Sequence, residues 1–334
     1  MKGDLCILGI ESTAHTFSAS VVTETKGLLS DVRDVYLPPE GRGIHPTEAS
    51  NHHAAVAARV IREALEAAGV ATSELDGVAY AMGPGLGPCL RVGAVSARTM
   101  ALALSKPLIP VNHAIGHIEL GCMLTGAKSP LVLLISGGHT MVVSCSSVMW
   151  RVLGETLDLT LGQLLDQLGR HVGYSSPCGR RIEEDASKSH RYLPLPYTVK
   201  GNDVSFSGLL TAAKRMVDAG EPFEDVCFSV QETAFATTVE VTERALAFTG
   251  NRELMVVGGV AANKRLSQML GIMAERHSAE FHVVPLRYSG DCGAQIAWTG
   301  LLEFRSGVSV PVERGGIRQS WRLDTVQLPW RSGA

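Results

Sequence analysis

Apolar residues recur along this chain with two periods, and the switches between them mark out its elements. Residues 5–10, Leu5-Cys6-Ile7-Leu8-Gly9-Ile10, form a short apolar run that reads as a strand. A turn of small polar residues from Glu11 to Thr16 leads into a second strand over 18–22. A loop rich in proline and glycine spans 38–46. From Thr47, a suitable cap, to Ala68, the residues Val56, Val60, Ile61 and Leu65 share one face, which predicts a half-buried helix stopped by Gly69. His52 and His53 diverge on that helix and read as solvated or capping groups, not as a metal pair. Residues 77–82 form a strand, 83–88 a glycine-rich turn, and 91–104 a helix. Residues 108–111 are a short buried strand, with Asn112 placed to cap a helix beginning at His113.

The second half repeats this pattern. Residues 131–135 and 141–145 read as strands flanking Ser136-Gly137-Gly138-His139-Thr140, as in the hairpin of residues 5–22. A strand over 254–257, then Gly258-Gly259-Val260-Ala261-Ala262-Asn263 and a helix, echo the unit at 77–104. Between these units lie a helix carrying Asp166, another opening after Lys200 to Gly208, and one over 229–248. The last has a Ser229/Glu232 capping box and Gly250 past its end. A strand over 281–284 and a helix ending at Phe304 complete the repeat. The order predicts a duplicated α/β fold: a first lobe over 1–127, a second over 128–303, and a cleft between them. The segment 304–334 is expected to pack back on the first lobe or to contact partners.

Composition narrows the class. The chain has 334 residues, is 45% hydrophobic, and has a net charge of -3, so no strong field draws nucleic acid to it unaided. Its seven scattered cysteines show no C-x-x-C, and no apolar stretch nears the ~20 residues that span a bilayer. A reduced, cytoplasmic chain with no membrane association is expected.

Within this frame one stretch stands out for chemistry. His113 and His117 are four apart, so on a helix both imidazoles leave one face and can hold a divalent metal at a sheet edge. The same spacing suits ordinary surface or core histidines, and the residues alone leave both readings open. The turn over 83–88 has the strand–glycine–helix geometry of an anion site, without the Lys-Ser/Thr of a P-loop. A metalloprotease would want His-Glu-x-x-His, and Ala114 stands where its Glu belongs.

Taken together, Gly9-Ile10-Glu11-Ser12-Thr13-Ala14-His15, His113-Ala114-Ile115-Gly116-His117, Ser136-Gly137-Gly138-His139-Thr140, Ser205-Phe206-Ser207-Gly208, the 258–263 segment and Asp291 resemble one family. It is the universal tRNA threonylcarbamoyladenosine transferase family, once called a glycoprotease, and the likeness covers about residues 5–325. Gln319-Ser320-Trp321-Arg322-Leu323-Asp324 is closer to its archaeal and eukaryotic branch, the catalytic subunit of the KEOPS assembly.

The resemblance implies an α/β fold of the duplicated actin-like type (ASKHA: sugar kinase, HSP70, actin). It also implies transfer of threonylcarbamoyl from threonylcarbamoyl-AMP to N6 of the adenosine 3′ of the anticodon. It assigns one iron or zinc ion to His113, His117 and Asp291, and the nucleotide (threonylcarbamoyl-AMP, ATP or AMP) to the cleft. Ser136, Gly137, Gly138 and His139 would lie at its phosphates, Asp166, Gly179 and Glu183 at its ribose, and Asn263 at its base. Glu11 would assist the chemistry, as a proton acceptor or by orienting water or metal. The implied partners are tRNA, a small kinase/ATPase subunit, a small dimerisation subunit and an upstream adenylate-forming enzyme, with partners supplying much of the basic surface.

Two positions depart from the family pattern: Leu134 replaces an archaeal Tyr ligand, and Cys178-Gly179-Arg180 replaces Gly-Gly-Pro. The rival readings are an ATP-dependent small-molecule kinase of the same fold and a catalytically silent scaffold. The first lacks a use for the His pair, and the second would be expected to have lost His113, His117 or Asp291.

Overall fold

The structure, a computed structural model, describes residues 4–39 and 42–331; residues 40 and 41 of the proline- and glycine-rich loop lie outside it. The first repeat runs β1 (Cys6–Glu11), β2 (Thr16–Thr23), β3 (Gly27–Val35), α1 (Pro46–Ala68), β4 (Gly77–Gly83), α2 (Gly87–Leu104), β5 (Leu108–Asn112) and α3 (His113–Thr125). The second begins β6 (Leu131–Ile135), β7 (Thr140–Ser146) and β8 (Met149–Glu155). It continues through α4 (Leu161–His171), α5 (Gly179–Ala186), a minor hairpin of β9 (Val199–Lys200) and β10 (Asp203–Val204), α6 (Ser207–Asp218) and α7 (Phe223–Thr249). It closes with β11 (Glu253–Val257), α8 (Lys264–Arg276), β12 (Glu280–Val283) and α9 (Gly293–Arg305).

The two main sheets have the same topology. The first is ordered β3-β2-β1-β4-β5 and the second, read from its other end, β8-β7-β6-β11-β12. In each, an antiparallel meander of three strands is extended by two parallel ones. β3 and β8 did not stand out in the apolar pattern because each is an edge strand with one open face. Asp31, Arg33 and Asp34 interrupt β3, and most of its residues are only half-buried.

The last helix of each repeat crosses over. α3 follows the first sheet, yet Ala114, Ile115 and Ile118 pack on Val132, Leu134, Met255 and Val257 of the second. α9 follows the second sheet, yet Ile296, Ala297 and Leu301 pack on Ile7, Ala79 and Val111 of the first. A Cβ on Gly9 would lie 2.2 Å from the Ala297 backbone nitrogen, so β1 can seat α9 only with glycine there. α3 and α9 also touch one another, with Gly116 admitting the Gln295 backbone.

The segment after α9 straps both lobes. Val310 pairs with Leu108, the Arg318 N–H donates to Met82 O, and the Leu328 N–H donates to Val148 O on the second lobe. Arg331 ends the strap in a bidentate ion pair with Glu119, both bonds 3.0 Å.

Three expectations are corrected. His53 is fully buried and bonds Ala14 O, while His52 meets Asp34, so neither caps the helix nor is simply solvated. α1 begins at Pro46 without a side-chain cap. α7 starts six residues before the supposed capping box. Ser229 lies inside it and donates back to Asp225 O, and Glu232 pairs with Arg265 of α8.

Candidate metal and nucleotide site

The crossing of α3 and α9 brings the histidines to the aspartate. Asn112 caps α3 as the sequence predicts, its Oδ1 accepting from Ala114 N at 3.0 Å and Ile115 N at 3.2 Å. This starts the helix at His113, so both imidazoles face the seam between the lobes, edge to face with centroids 4.7 Å apart. Asp291 stands just ahead of α9, whose start is fixed by the Gly293 N–H donating to Ser18 Oγ of β2 at 2.7 Å. Asp291 Oδ1 thereby lies 3.3 Å from His117 Nε2 and 3.5 Å from His113 Nε2. The three donor atoms converge within 4.8 Å of one another.

Glu11 stands behind this cluster. It is fully buried, its Oε1 accepts the Thr13 N–H at 2.6 Å, and its Oε2 faces His113 Nδ1 at 2.9 Å. Gln295 Nε2 lies 2.9 Å from the same ring nitrogen and Thr13 Oγ1 3.3 Å. A carboxylate that holds one imidazole nitrogen turns the other toward a cation and raises its basicity. With Oε1 on Thr13 and Oε2 on His113, Glu11 is placed to orient the metal-facing ring, one of the two roles expected of it. Neither Gln295 nor Thr13 carries a sequence signal of its own for this role; Gln295 reaches the site only because α9 crosses to the first sheet.

The electrostatics follow the geometry. Burial opposes charge on His113, but the adjacent Glu11 carboxylate and Asp291 outweigh it and push the ring up to about 9. Burial pulls His117 down, against its bond to Asp291. Burial alone would raise Asp291, yet the His117 hydrogen bond and both imidazoles hold it far below the usual carboxylate range. Two imidazoles and an acid that stays ionised make an open three-ligand set for a divalent transition ion. Leu134 is buried in the apolar core and offers no fourth ligand.

His139 adjoins the cluster, its ring stacked 6.3 Å from His113. Burial, then the neighbouring His113 and His117, push it down to about 3, and its Nδ1 is buried with no partner among the described residues. The turn before it is closed by Ser136 Oγ, which accepts from Gly138 N and His139 N. Gly137 and Gly138 are exposed, and a Cβ on Gly137 would meet nothing. A cleft of about 380 Å³ opens here, lined by Ala114, Gly138, His139, Thr160, Trp321 and Arg322 among others.

The remaining nucleotide candidates lie in the second lobe, each engaged by a helix start. Asp166 Oδ1 accepts the Cys178 N–H at 2.6 Å, placing Gly179 at the head of α5. Glu183 Oε1 accepts the Lys264 N–H at 2.8 Å at the head of α8. Asn263 caps α8 through Oδ1 and donates Nδ2 to Gln231 at 3.0 Å, and it is buried. Oδ1 and one Nδ2 hydrogen hold the start of α8, and the second Nδ2 hydrogen has no partner among the described residues.

The comparisons with known proteins agree with this geometry. The family model for tRNA N6-adenosine threonylcarbamoyltransferase matches residues 28–298. A protein of that name from Caldivirga maquilingensis is 50% identical over 326 residues, covering 98% of each chain. The chain belongs to this family. The Archaeoglobus fulgidus transferase is 49% identical over 97% of this chain and 99% of its own. A probable bifunctional tRNA threonylcarbamoyladenosine biosynthesis protein of Methanosarcina mazei is 50% identical, and the match covers 97% of this chain but 59% of that one. Among solved structures, HypF of T. kodakarensis superposes with a TM-score of 0.63 at 15% identity, over 89% of this chain and 47% of that one. Component A of (R)-2-hydroxyglutaryl-CoA dehydratase from Acidaminococcus fermentans superposes at 0.56 with 13% identity, over 88% and 97%. These likenesses establish the actin-like α/β fold, and the transferase relatives leave the kinase and scaffold readings unfavoured. Among the described residues no helix is long and apolar enough to cross a membrane.

Proposed function

We propose that the cleft transfers threonylcarbamoyl from threonylcarbamoyl-adenylate to N6 of the adenosine 3′ of the anticodon, in tRNAs reading codons that begin with A. The full-length match to transferases carries this reading, and the meeting of His113, His117 and Asp291 between the lobes supports it. In the reaction the N6 amine attacks the carbamoyl carbon, the bond from that carbon to the phosphate oxygen breaks, AMP leaves and the amine loses a proton. Because AMP is a good leaving group, the protein's main task is positioning.

His113, His117 and Asp291 would hold one iron or zinc ion, which supplies a Lewis acid to a carbonyl or phosphoryl oxygen when bound. Glu11, Thr13 and Gln295 fix the His113 ring. Ser136, Gly137 and Gly138 offer the exposed backbone of a tight turn to phosphate. His139, kept neutral by burial, offers its unpartnered nitrogen to the substrate. Asp166 and Glu183 each keep one carboxylate oxygen for a ribose hydroxyl, with Gly179 leaving room beside them. Asn263 holds α8 in place beside Glu183.

The units of this arrangement are 1–127, 128–303 and the segment 304–334, whose described part forms the strap, with α3 and α9 exchanged between the sheets. The near-neutral charge supports a requirement for partners: a small kinase/ATPase subunit and a small dimerisation subunit of the KEOPS type, working in the cytoplasm downstream of an adenylate-forming enzyme. The longer Methanosarcina relative is consistent with such company.

The test is nucleoside analysis of unmodified tRNA after incubation with threonine, bicarbonate, ATP, the adenylate-forming enzyme, the partner subunits and this protein. Threonylcarbamoyladenosine should form with the wild type and be lost with His113→Ala. Equal product from the variant, or none from the complete wild-type mixture, rejects the reading.

A further inference from the structure

At the far end of the second sheet, β11 and β12 pair in parallel with Glu253 opposite Glu280 and Met255 opposite His282. Side chains two apart on a strand share a face, and so do cross-strand partners. Glu253, Glu280 and His282 therefore project together from one face at the start of both strands. His282 Nε2 lies 3.7 Å from Glu253 Oε1 and 3.7 Å from Glu280 Oε1, and the three donor atoms fall within 4.8 Å of one another.

These distances are too long for hydrogen bonds. The His282 side chain is only 9% exposed, and its Nε2 is buried with no hydrogen-bond partner among the described residues. A buried nitrogen left so is destabilising, and a ligand on it would relieve that cost. Two ligands held at ~2.0–2.2 Å on one tetrahedral ion stand roughly 3.3–3.6 Å apart, close to what is seen. Glu253 is also oriented from behind: its Oε2 accepts the Ser129 N–H at 2.9 Å, just past the end of α3. Backbone donors of this kind aim a carboxylate ligand.

We propose that Glu253, Glu280 and His282 form a second divalent-cation site, independent of the cleft. One imidazole and two carboxylates suit a borderline transition ion, zinc best, and disfavour magnesium and calcium, which want oxygen ligands alone. The cleft lies beyond the carboxyl ends of β11 and β12, whereas this site is at their amino ends. With ~3.3 Å per strand residue, the length of β11 separates the two. The ion would pin the outer edge of the second sheet and, through Glu253, the turn that ends α3. Its role is structural.

The experiment uses the full chain, stripped with chelator, reloaded with zinc and desalted, with bound metal counted by mass spectrometry. Wild type should retain two equivalents, and His282→Ala and His113→Ala one each. Zinc should raise the melting temperature of His113→Ala but not of His113→Ala/His282→Ala. Glu280→Gln provides the same test should His282→Ala fail to fold, because the Glu280 side chain is 72% exposed and its loss leaves no hole. It should weaken the second equivalent at least tenfold while tRNA modification stays unchanged. Equal zinc content in wild type and in the folded His282 or Glu280 variant overturns the proposal. So does a melting shift that persists in the double variant.

Discussion

Glu11 Oε2 lies 2.9 Å from Nδ1 of His113, behind the nitrogen that faces Asp291. The last residue of β1 thus orients a ligand 102 residues later in the chain. A carboxylate in this position fixes the ring and makes its other nitrogen a better donor, at no cost in access to the cleft.

Removing that control should weaken the metal before anything else. Glu11→Gln keeps the shape but not the charge, and it should lower zinc or iron affinity about 10–100-fold, with the fold intact. Chelator competition on the purified chain measures it. An unchanged affinity together with lost activity would instead return Glu11 to the reaction itself.

Asn112 tests how the first histidine is held. Its Oδ1 caps α3 and its Nδ2 donates to Trp321 O at 3.0 Å, so it ties the metal helix to the strap. Asn112→Ala should cost about 1–2 kcal/mol of stability in denaturant unfolding, and it should reduce metal retention because His113 sits on the frayed turn.

How much of this was legible in the chain differs from residue to residue. The His pair was, because i,i+4 spacing and a capping Asn are local signals. Asp291 was legible only by resemblance, since 174 residues separate it from His117 and the exchange of α3 and α9 leaves no local mark. The same exchange hid Gln295. Ser229 misled because a Ser three residues before a Glu looks alike at a helix start and inside a buried helix, where the hydroxyl bonds back to the preceding turn. A role for Asn263 at the base rests on likeness alone, and its capping of α8 is a separate, local contact.

The seam between α3 and α9 also carries an acid with no hydrogen-bond partner among the described residues. Burial, then the charge of Glu119, push Glu303 up from 4.5 to about 8. The unfolded chain releases this proton near pH 4.5 and the folded one near pH 8, so stability falls as pH rises through that window, by up to roughly 1.4 kcal/mol per unit. Glu303→Gln should match wild type at pH 4.5 and exceed it at pH 8.5 in chemical denaturation. Equal stability of the two proteins at both pH values contradicts the assignment.

Arg331 anchors the strap by pairing with Glu119, which is 4% exposed. Arg331→Ala leaves that carboxylate buried and unpaired, and it should cost about 3 kcal/mol or more. Glu119→Gln in the same background should recover part of the loss. A double-mutant cycle with no coupling would show that the strap is held elsewhere.

The central claim is that His113, His117 and Asp291 act together through one bound cation. Its most direct test measures metal content and threonylcarbamoyladenosine yield side by side for wild type and Asp291→Asn, in the reconstituted tRNA assay. The account predicts that the variant folds, loses the cleft metal and forms product at least 100-fold more slowly. Product formed at the wild-type rate by a variant from which the cleft metal is gone contradicts it.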